Sequence, residues 1–145
     1  MSYPFEVMDP DTIAEFLAEP RHALVATNRN GRSPQLSPVW YLYEDDMLYF
    51  AVLASSAKFR NLTRDPQVSV CIDAGHPDAR AVIIYGKAKV IEGSQTSSEE
   101  LQWRIARRYM DNDAQTQAYM ERARASGKMV MLAVIPDKLI ARDYN

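Results

Sequence analysis

The chain has 145 residues, the size of one domain, and a chain of that length buries about two thirds of its unfolded surface. At 47% hydrophobic and 25% charged it is neither a disordered chain, nor a collagen-like repeat, nor a small disulfide-stapled scaffold. Seventeen basic residues against nineteen acidic ones give a net charge of -2, so no global basic field exists and nucleic acid is not expected as a partner.

One cysteine, Cys71, excludes an internal disulfide, and no Cys/His cluster has zinc-ligand spacing; no metal site is expected. The acidic stretch from Met1 to Pro20 is unlike a signal peptide. No apolar run approaches the roughly 20 residues a membrane span needs. The expectation is a cytoplasmic protein with no membrane span, folded as a single domain over residues 1–145.

Asp9-Pro10-Asp11-Thr12 reads as a helix start, with Asp9 able to cap and Pro10 suited to the first helical position. Ile13, Phe16 and Leu17 form its apolar face, and Pro20 ends it. His22 to Asn28 is a short apolar strand, and Asn30-Gly31 marks a hairpin turn. Ser33 to Tyr43 is extended, because Pro34 and Pro38 forbid a regular helix. Leu36, Pro38, Trp40 and Leu42 then share one face; Gln35, Ser37, Val39, Tyr41 and Tyr43 share the other. After the charged turn Glu44-Asp45-Asp46, Met47 to Leu53 is apolar on both faces and reads as a central, buried strand.

Ser55 to Asp65 is a short helix capped by Ser55 or Ser56 and stopped by Pro66. Gln67 to Asp73 and Ala79 to Glu92 are strands, the second with Val82, Ile84, Gly86, Ala88 and Val90 on one face. Thr96 to Asp111 is a helix with a capping box at Ser97 and Glu100. Ala114 to Ala125 is a second helix, stopped near Gly127. Met129 to Ile135 is a final buried strand, with Leu139 to Tyr144 a possible continuation beyond Pro136. Cys71 reads as a core thiol, and His22 and His76 as ordinary loop histidines. Consecutive hairpin-linked strands with helices outside predict a mainly β fold of around six antiparallel strands in a small closed barrel, rather than a doubly wound sheet. No Gly-x-Gly-x-x-Gly or phosphate-loop motif is present.

The stretch from Ala54 to Pro66 carries the most chemistry. A buried strand delivers the chain to a helix N-terminus at Ser55, Ser56, Ala57 and Lys58, where free amides and a lysine suit a phosphate or carboxylate. Arg60 and Arg64 lie on one face with Asn61 beside them. The alternative is a solvated basic face.

Ala57-Lys58-Phe59-Arg60-Asn61-Leu62-Thr63-Arg64-Asp65-Pro66, followed by Val68-Ser69-Val70, resembles the signature of the pyridoxamine 5'-phosphate oxidase-like superfamily of FMN-binding split barrels. Gly31 to Tyr41, with Ser37-Pro38-Val39-Trp40, resembles the same family's strand, and Gly86-Lys87-Ala88 resembles a third block. The resemblance implies a six-stranded split β-barrel and a homodimer with the cofactor at the subunit interface. That cofactor is coenzyme F420 or FMN, or occasionally haem. Lys58 matches the lysine that holds the cofactor phosphate. Arg60 and Asn61, with Ser56 and Ala57, match the helix around that phosphate. Pro34, Gln35, Ser37, Val39 and Trp40 match the strand along the ring, and Ala51 to Ser56 the strand end beneath it.

Leu36 and Tyr41 stand where true pyridoxamine 5'-phosphate oxidases carry arginine and lysine, and Ala57-Lys58 stands where they carry Arg-Lys. Their C-terminal arginine and histidine motif has no counterpart near Ile140 to Tyr144. The resemblance is therefore to the short F420-dependent branch. It implies an oxidoreductase that transfers a hydride to a small-molecule acceptor, with the chemistry carried by the cofactor and no dedicated catalytic residue assigned. The alternatives are an FMN-dependent oxidase or reductase, or a non-catalytic F420, FMN or haem binder. Arg104, Arg107 and Arg108, or Lys87 and Lys89, are candidates for meeting an anionic cofactor tail.

Overall fold

A computed structural model of the chain describes residues 6–91, 93 and 95–145. In chain order its elements are β1 (Glu6–Val7), α1 (Pro10–Ala18), β2 (Ala23–Arg29), β3 (Arg32–Val39), β4 (Leu42–Glu44) and β5 (Met47–Leu53). They continue as α2 (Ala57–Arg64), β6 (Gln67–Asp73), β7 (Arg80–Val90), α3 (Gln95–Arg107), α4 (Asp113–Ser126) and β8 (Met129–Asp143). Glu92, the expected end of β7, lies outside the described residues.

All pairings are antiparallel, in the order β3-β2-β6-β7-β8-β5-β4, with β1 added to the far end of β8. The two ends of that path, β3 and β4, are joined by Trp40 and Tyr41 alone. Consecutive Cα atoms are about 3.8 Å apart, so Val39 and Leu42 lie within about 11 Å. The sheet must therefore roll until its edges nearly meet without pairing, which is a split barrel. The fold class is as expected, but the barrel is split rather than closed, and among the described residues the strands number eight, not six. The stretch read as one strand from Ser33 to Tyr43 breaks at Trp40-Tyr41, where the chain leaves β2 for β5, and β1 adds a further short strand.

Alternation fills the barrel. Val25, Tyr41, Leu48, Phe50, Ile72, Val82, Ile84 and Val134 are fully buried, and α1 closes one end with Phe16 and Leu17. Only one face of β5 is fully buried. Met47, Tyr49, Ala51 and Leu53 are half-buried on the outer face, so the strand is not enclosed on both sides as its composition implied. The outer face of β8 is covered instead at Met131 and Ala133. There α3 packs on β5 and β8.

β8 runs unbroken through Pro136 because pairing with β5 ends at Val134 and the β7 register shifts between Tyr85 and Gly86. A proline is tolerated at such a bulge. A Cβ on Gly86 would sit 2.2 Å from the Ile135 carbonyl oxygen, so the close approach there requires glycine. In the β4–β5 hairpin both loop residues, Asp45 and Asp46, take positive φ of 52° and 59°, the two-residue turn that matches strand twist.

Two further expectations are corrected. α3 begins at Gln95, so Ser97 sits inside the first turn and is not its cap. Cys71 lies on the outer face of β6, paired with Leu24 and Ile83, and is half-buried rather than a core thiol. Burial raises its thiol pKa.

Candidate functional site

β5 ends at Leu53 and the chain turns into α2, where Ser56 is the N-cap and its Oγ accepts the Phe59 N–H at 3.2 Å. The N–H groups of Ala57 and Lys58, the first two of the helix, have no acceptor among the described residues. α2 runs antiparallel along the inner face of β3. The Lys58 ammonium donates to Ser37 Oγ at 3.1 Å. One turn on, Asn61 Nδ2 donates to Gln35 Oε1 at 2.9 Å and to Thr27 Oγ1 on β2 at 3.0 Å. Phe59 and Leu62 seat the helix on the core.

Beside Lys58 opens a cleft of about 250 Å³. One wall is Pro38, Val39 and Trp40 from the split, with Ala51 and Met129 from β5 and β8; the roof is Gln102, Ile105 and Ala106 of α3 and Tyr119, Met120 and Ala123 of α4. Among the described residues Lys58 is the sole charged side chain lining it. The roof is pinned by aromatic packing: Trp40 stacks on Tyr109 with centroids 4.8 Å apart and planes 7° apart, and meets Tyr119 at 4.8 Å. Tyr109 Oη donates to the Arg21 carbonyl at 2.6 Å and accepts the Tyr41 N–H at 3.2 Å. Burial raises the pKa of Tyr109 and Tyr119, so both stay neutral at physiological pH.

The expected site residues thus separate. Lys58, Val39 and Trp40 line the cleft, with Ser37 against Lys58 and with Ser56 and Ala57 at the free amides. Asn61 and Gln35 bond to each other inside the barrel mouth. Arg60 is exposed and its Nη1 donates to the Ser55 carbonyl at 2.8 Å, beside the same turn. Pro34 is exposed on the opposite face of β3.

The candidate tail-binding arginines are engaged within the chain. Arg104 pairs with Glu44 at 2.8 Å and holds that carboxyl below its ordinary pKa. Arg107 pairs with Asp113 at 2.8 Å. Arg108 donates to the carbonyls of Leu17, Ala18 and Glu19, closing the C-terminus of α1, and to that of Tyr41. Lys87 and Lys89 are exposed. Both histidines are exposed, and no group of three or more metal-ligating side chains exists among the described residues.

The roof residues were not singled out from sequence. Ile105, Ala106, Met120 and Ala123 have the spacing of any core-facing helix, and Gln102 that of any helix surface; only the docking of α3 and α4 makes them a site.

The sequence profile of pyridoxamine 5'-phosphate oxidase matches residues 9–142. Among solved structures, the chain is similar to the conserved hypothetical protein Rv2991 from Mycobacterium tuberculosis. The TM-score is 0.81 at 23% identity, over 99% of this chain and 89% of that one. It is also similar to a FAD-binding protein from Mesorhizobium loti (TM-score 0.71, 15% identity, 99% and 100% of the two chains). An F420 reductase gives a TM-score of 0.65 at 19% identity over 96% and 98%. At these identities the likeness is one of fold. No curated protein matches the chain.

Proposed function

The chain belongs to the pyridoxamine 5'-phosphate oxidase family, and from that premise we propose that it binds a phosphate-bearing flavin or deazaflavin, coenzyme F420 or FMN, and acts as an oxidoreductase on a small-molecule acceptor. The observation that carries this reading is the pairing of one cation with an apolar cleft. Lys58 lines the cleft, its ammonium bonds the Ser37 hydroxyl, and its own amide and that of Ala57 have no acceptor among the described residues. That donor set suits a phosphate, and the apolar walls suit a flat ring.

Bound there, the reduced ring supplies a hydride to an electrophilic acceptor. The protein's part is binding, orientation and dryness. Lys58 and the Ala57 and Lys58 amides hold the phosphate, with Arg60 adding positive charge at the same turn. Ser37 accepts from Lys58 and keeps its own O–H for a ligand oxygen. Val39, Trp40, Ala51 and Met129 exclude water from the ring. Asn61 and Gln35 act by fixing α2 against β3.

We further propose that the protein works as a homodimer. Pro38, Leu24, Cys71, Ile83 and Ile140 fall in one row across the outer face of β3, β2, β6, β7 and β8. Leu36 is 69% exposed and Leu24 44% exposed, whereas helices cover the outer face of β5 and the adjoining part of β8. An uncovered apolar sheet face of this kind marks an interface. Leu36→Glu should yield a monomer by analytical ultracentrifugation; an unchanged mass rejects this face.

The test of function is titration of the apo-protein with F420 and FMN, followed by tryptophan quenching, with Lys58→Ala as control. A charge-assisted bond to phosphate is worth about 1.5–3 kcal/mol, so the variant should bind roughly 10–150-fold more weakly. Turnover then separates an enzyme, which outpaces the free reduced cofactor, from a carrier, which protects it. Binding of neither ligand, or binding indifferent to Lys58, refutes the assignment.

A further inference from the structure

Charge is not spread evenly over this chain. Arg21, Arg80, Arg104, Arg107 and Arg124 each pair with a carboxylate. Arg29, Arg32, Arg60 and Arg64 are exposed and pair with none among the described residues. Three of them donate to backbone carbonyls instead: Arg29 to Ser33 at 2.6 Å, Arg60 to Ser55 at 2.8 Å, and Arg64 to Asn28. A neutral carbonyl leaves the guanidinium charge uncompensated. No acidic residue occurs between Glu19 and Glu44 or between Asp46 and Asp65. The end of the barrel formed by the β2–β3 hairpin and α2 therefore sets Arg29, Arg32, Lys58, Arg60 and Arg64 against Asp65 alone. Asp65 is itself engaged by Asn28 Nδ2 and the Gln67 N–H, both at 3.1 Å. The opposite end, which α1 closes, carries Asp9, Asp11, Glu15 and Glu19, with Asp73, Asp78 and Asp143 at the strand ends. β2 alone separates the two ends by about 20 Å.

Such crowding works against stability. Arg29 and Arg32 stand directly opposite each other in the β2–β3 ladder, and like charges in that relation are destabilising. The patch also has a defined place. Arg64 lies six residues beyond Lys58, about 9 Å along the helix, and holds the β2–β3 hairpin through Asn28. The cations thus begin about one Debye length from the cleft at ordinary ionic strength. They are not part of its wall, and Arg29 to Pro34 are all exposed, so nothing there encloses a ligand. Their reach is through the field they create. We infer that Arg29, Arg32 and Arg64 form an electrostatic funnel that speeds the capture of a phosphate-bearing ligand by the cleft without touching it. A funnel raises the association rate and leaves dissociation alone. This inference rests on the flavin or deazaflavin reading, because that ligand brings the phosphate.

Stopped-flow tryptophan quenching tests it, with FMN as the anionic probe and riboflavin as the same ring and side chain without the phosphate. Arg64 is left in place because it ties the hairpin to α2. In about 10 mM salt, where the Debye length is about 30 Å, Arg29→Gln/Arg32→Gln should bind FMN with an association rate about 3–10-fold lower than wild type and an unchanged dissociation rate. In about 0.5 M salt the two proteins should converge. Riboflavin should associate equally fast with both. Arg29→Lys/Arg32→Lys keeps the charge and should match wild type. Ala14→Glu, on the exposed face of α1 at the far end, should leave the FMN rate nearly unchanged. The Tm of the double glutamine variant in low salt should not fall, since the substitution relieves repulsion. Equal FMN association rates in wild type and the glutamine variant overturn the inference. So does a loss that appears in dissociation, that persists in the lysine variant, or that Ala14→Glu reproduces. If FMN still binds in a Lys58-dependent way, the cofactor reading survives that failure. If wild type binds neither FMN nor riboflavin, and not F420 either, both fall together.

Discussion

Asn61→Ala distinguishes a brace from a ligand contact. Asn61 is 7% exposed, and its amide nitrogen donates both protons inside the protein, to Thr27 Oγ1 at 3.0 Å and Gln35 Oε1 at 2.9 Å. Two neutral hydrogen bonds contribute about 1 kcal/mol each. The substitution also strands the Thr27 hydroxyl, which is fully buried and has no other partner among the described residues, at about 1–3 kcal/mol more. The partly overlapping terms give a loss of about 2–4 kcal/mol. At about 2–4 °C per kcal/mol for a domain near this size, Tm should fall by about 5–15 °C. Urea and thermal unfolding of the apo-protein measure this without any ligand. Thr27→Val in the Asn61→Ala background removes the stranded hydroxyl and should recover part of the loss. A Tm within about 2 °C of wild type, together with a loss of FMN affinity as large as that of Lys58→Ala, would refute the brace and make Asn61 a direct cofactor contact.

Gly86→Ala should cost about 3 kcal/mol in urea unfolding, because the new methyl group meets the Ile135 carbonyl, which is backbone and cannot turn aside. A loss below about 1 kcal/mol would mean that the bulge gives way. Asp46→Gly should raise Tm by a few degrees, since a non-glycine residue held at φ 59° is strained and glycine is not; a lower Tm contradicts that account. Asp78 supplies a pH dependence. Its hydrogen bonds from Arg80, then Asn145, hold its carboxyl well below the ordinary carboxylate range. The folded state therefore binds the proton less readily than the unfolded one. The stabilisation is complete above about pH 4 and fades as pH falls below it. Asp78→Asn should lower Tm at pH 7, with the gap from wild type closing in acid. A gap that stays constant down to pH 2 would contradict the assigned cause.

The two ends of the cleft are built from different elements. The end at Lys58 is formed by α2 and β3, which are joined to the core by the Asn61 brace and by Phe59 and Leu62. The other end is roofed by α3 and α4, held down by the Trp40–Tyr109 stack and by Arg108 on the carbonyls that end α1.

Local chemistry was enough to read most of the elements. Ser55 and Ser56 announced α2 because a hydroxyl before an apolar-faced segment is a cap, and of the two Ser56 accepts the bond a cap should. The alternation in β3 put Gln35, Ser37 and Val39 together on one face, since side chains of an extended strand alternate wherever it runs; that this face is the inner one is set by the fold. The place of Lys58 in the first turn of a helix was legible, and it is what makes the residue a candidate anion contact. What sequence could not supply were relations between residues far apart in the chain. Arg108 closes a helix about ninety positions earlier, and Tyr109 accepts the Tyr41 N–H from 68 positions away. Cys71 looked like core because its strand is apolar, but the strand's outer face is apolar too, and only the sheet's curl decides which face is enclosed. The cleft itself exists because the β3 and β4 edges stop short of pairing and α3 and α4 settle over β5 and β8 beside the gap. Periodicity assigns a side chain to a face; what that face meets is decided by packing, which minimises exposed apolar area over the whole molecule at once.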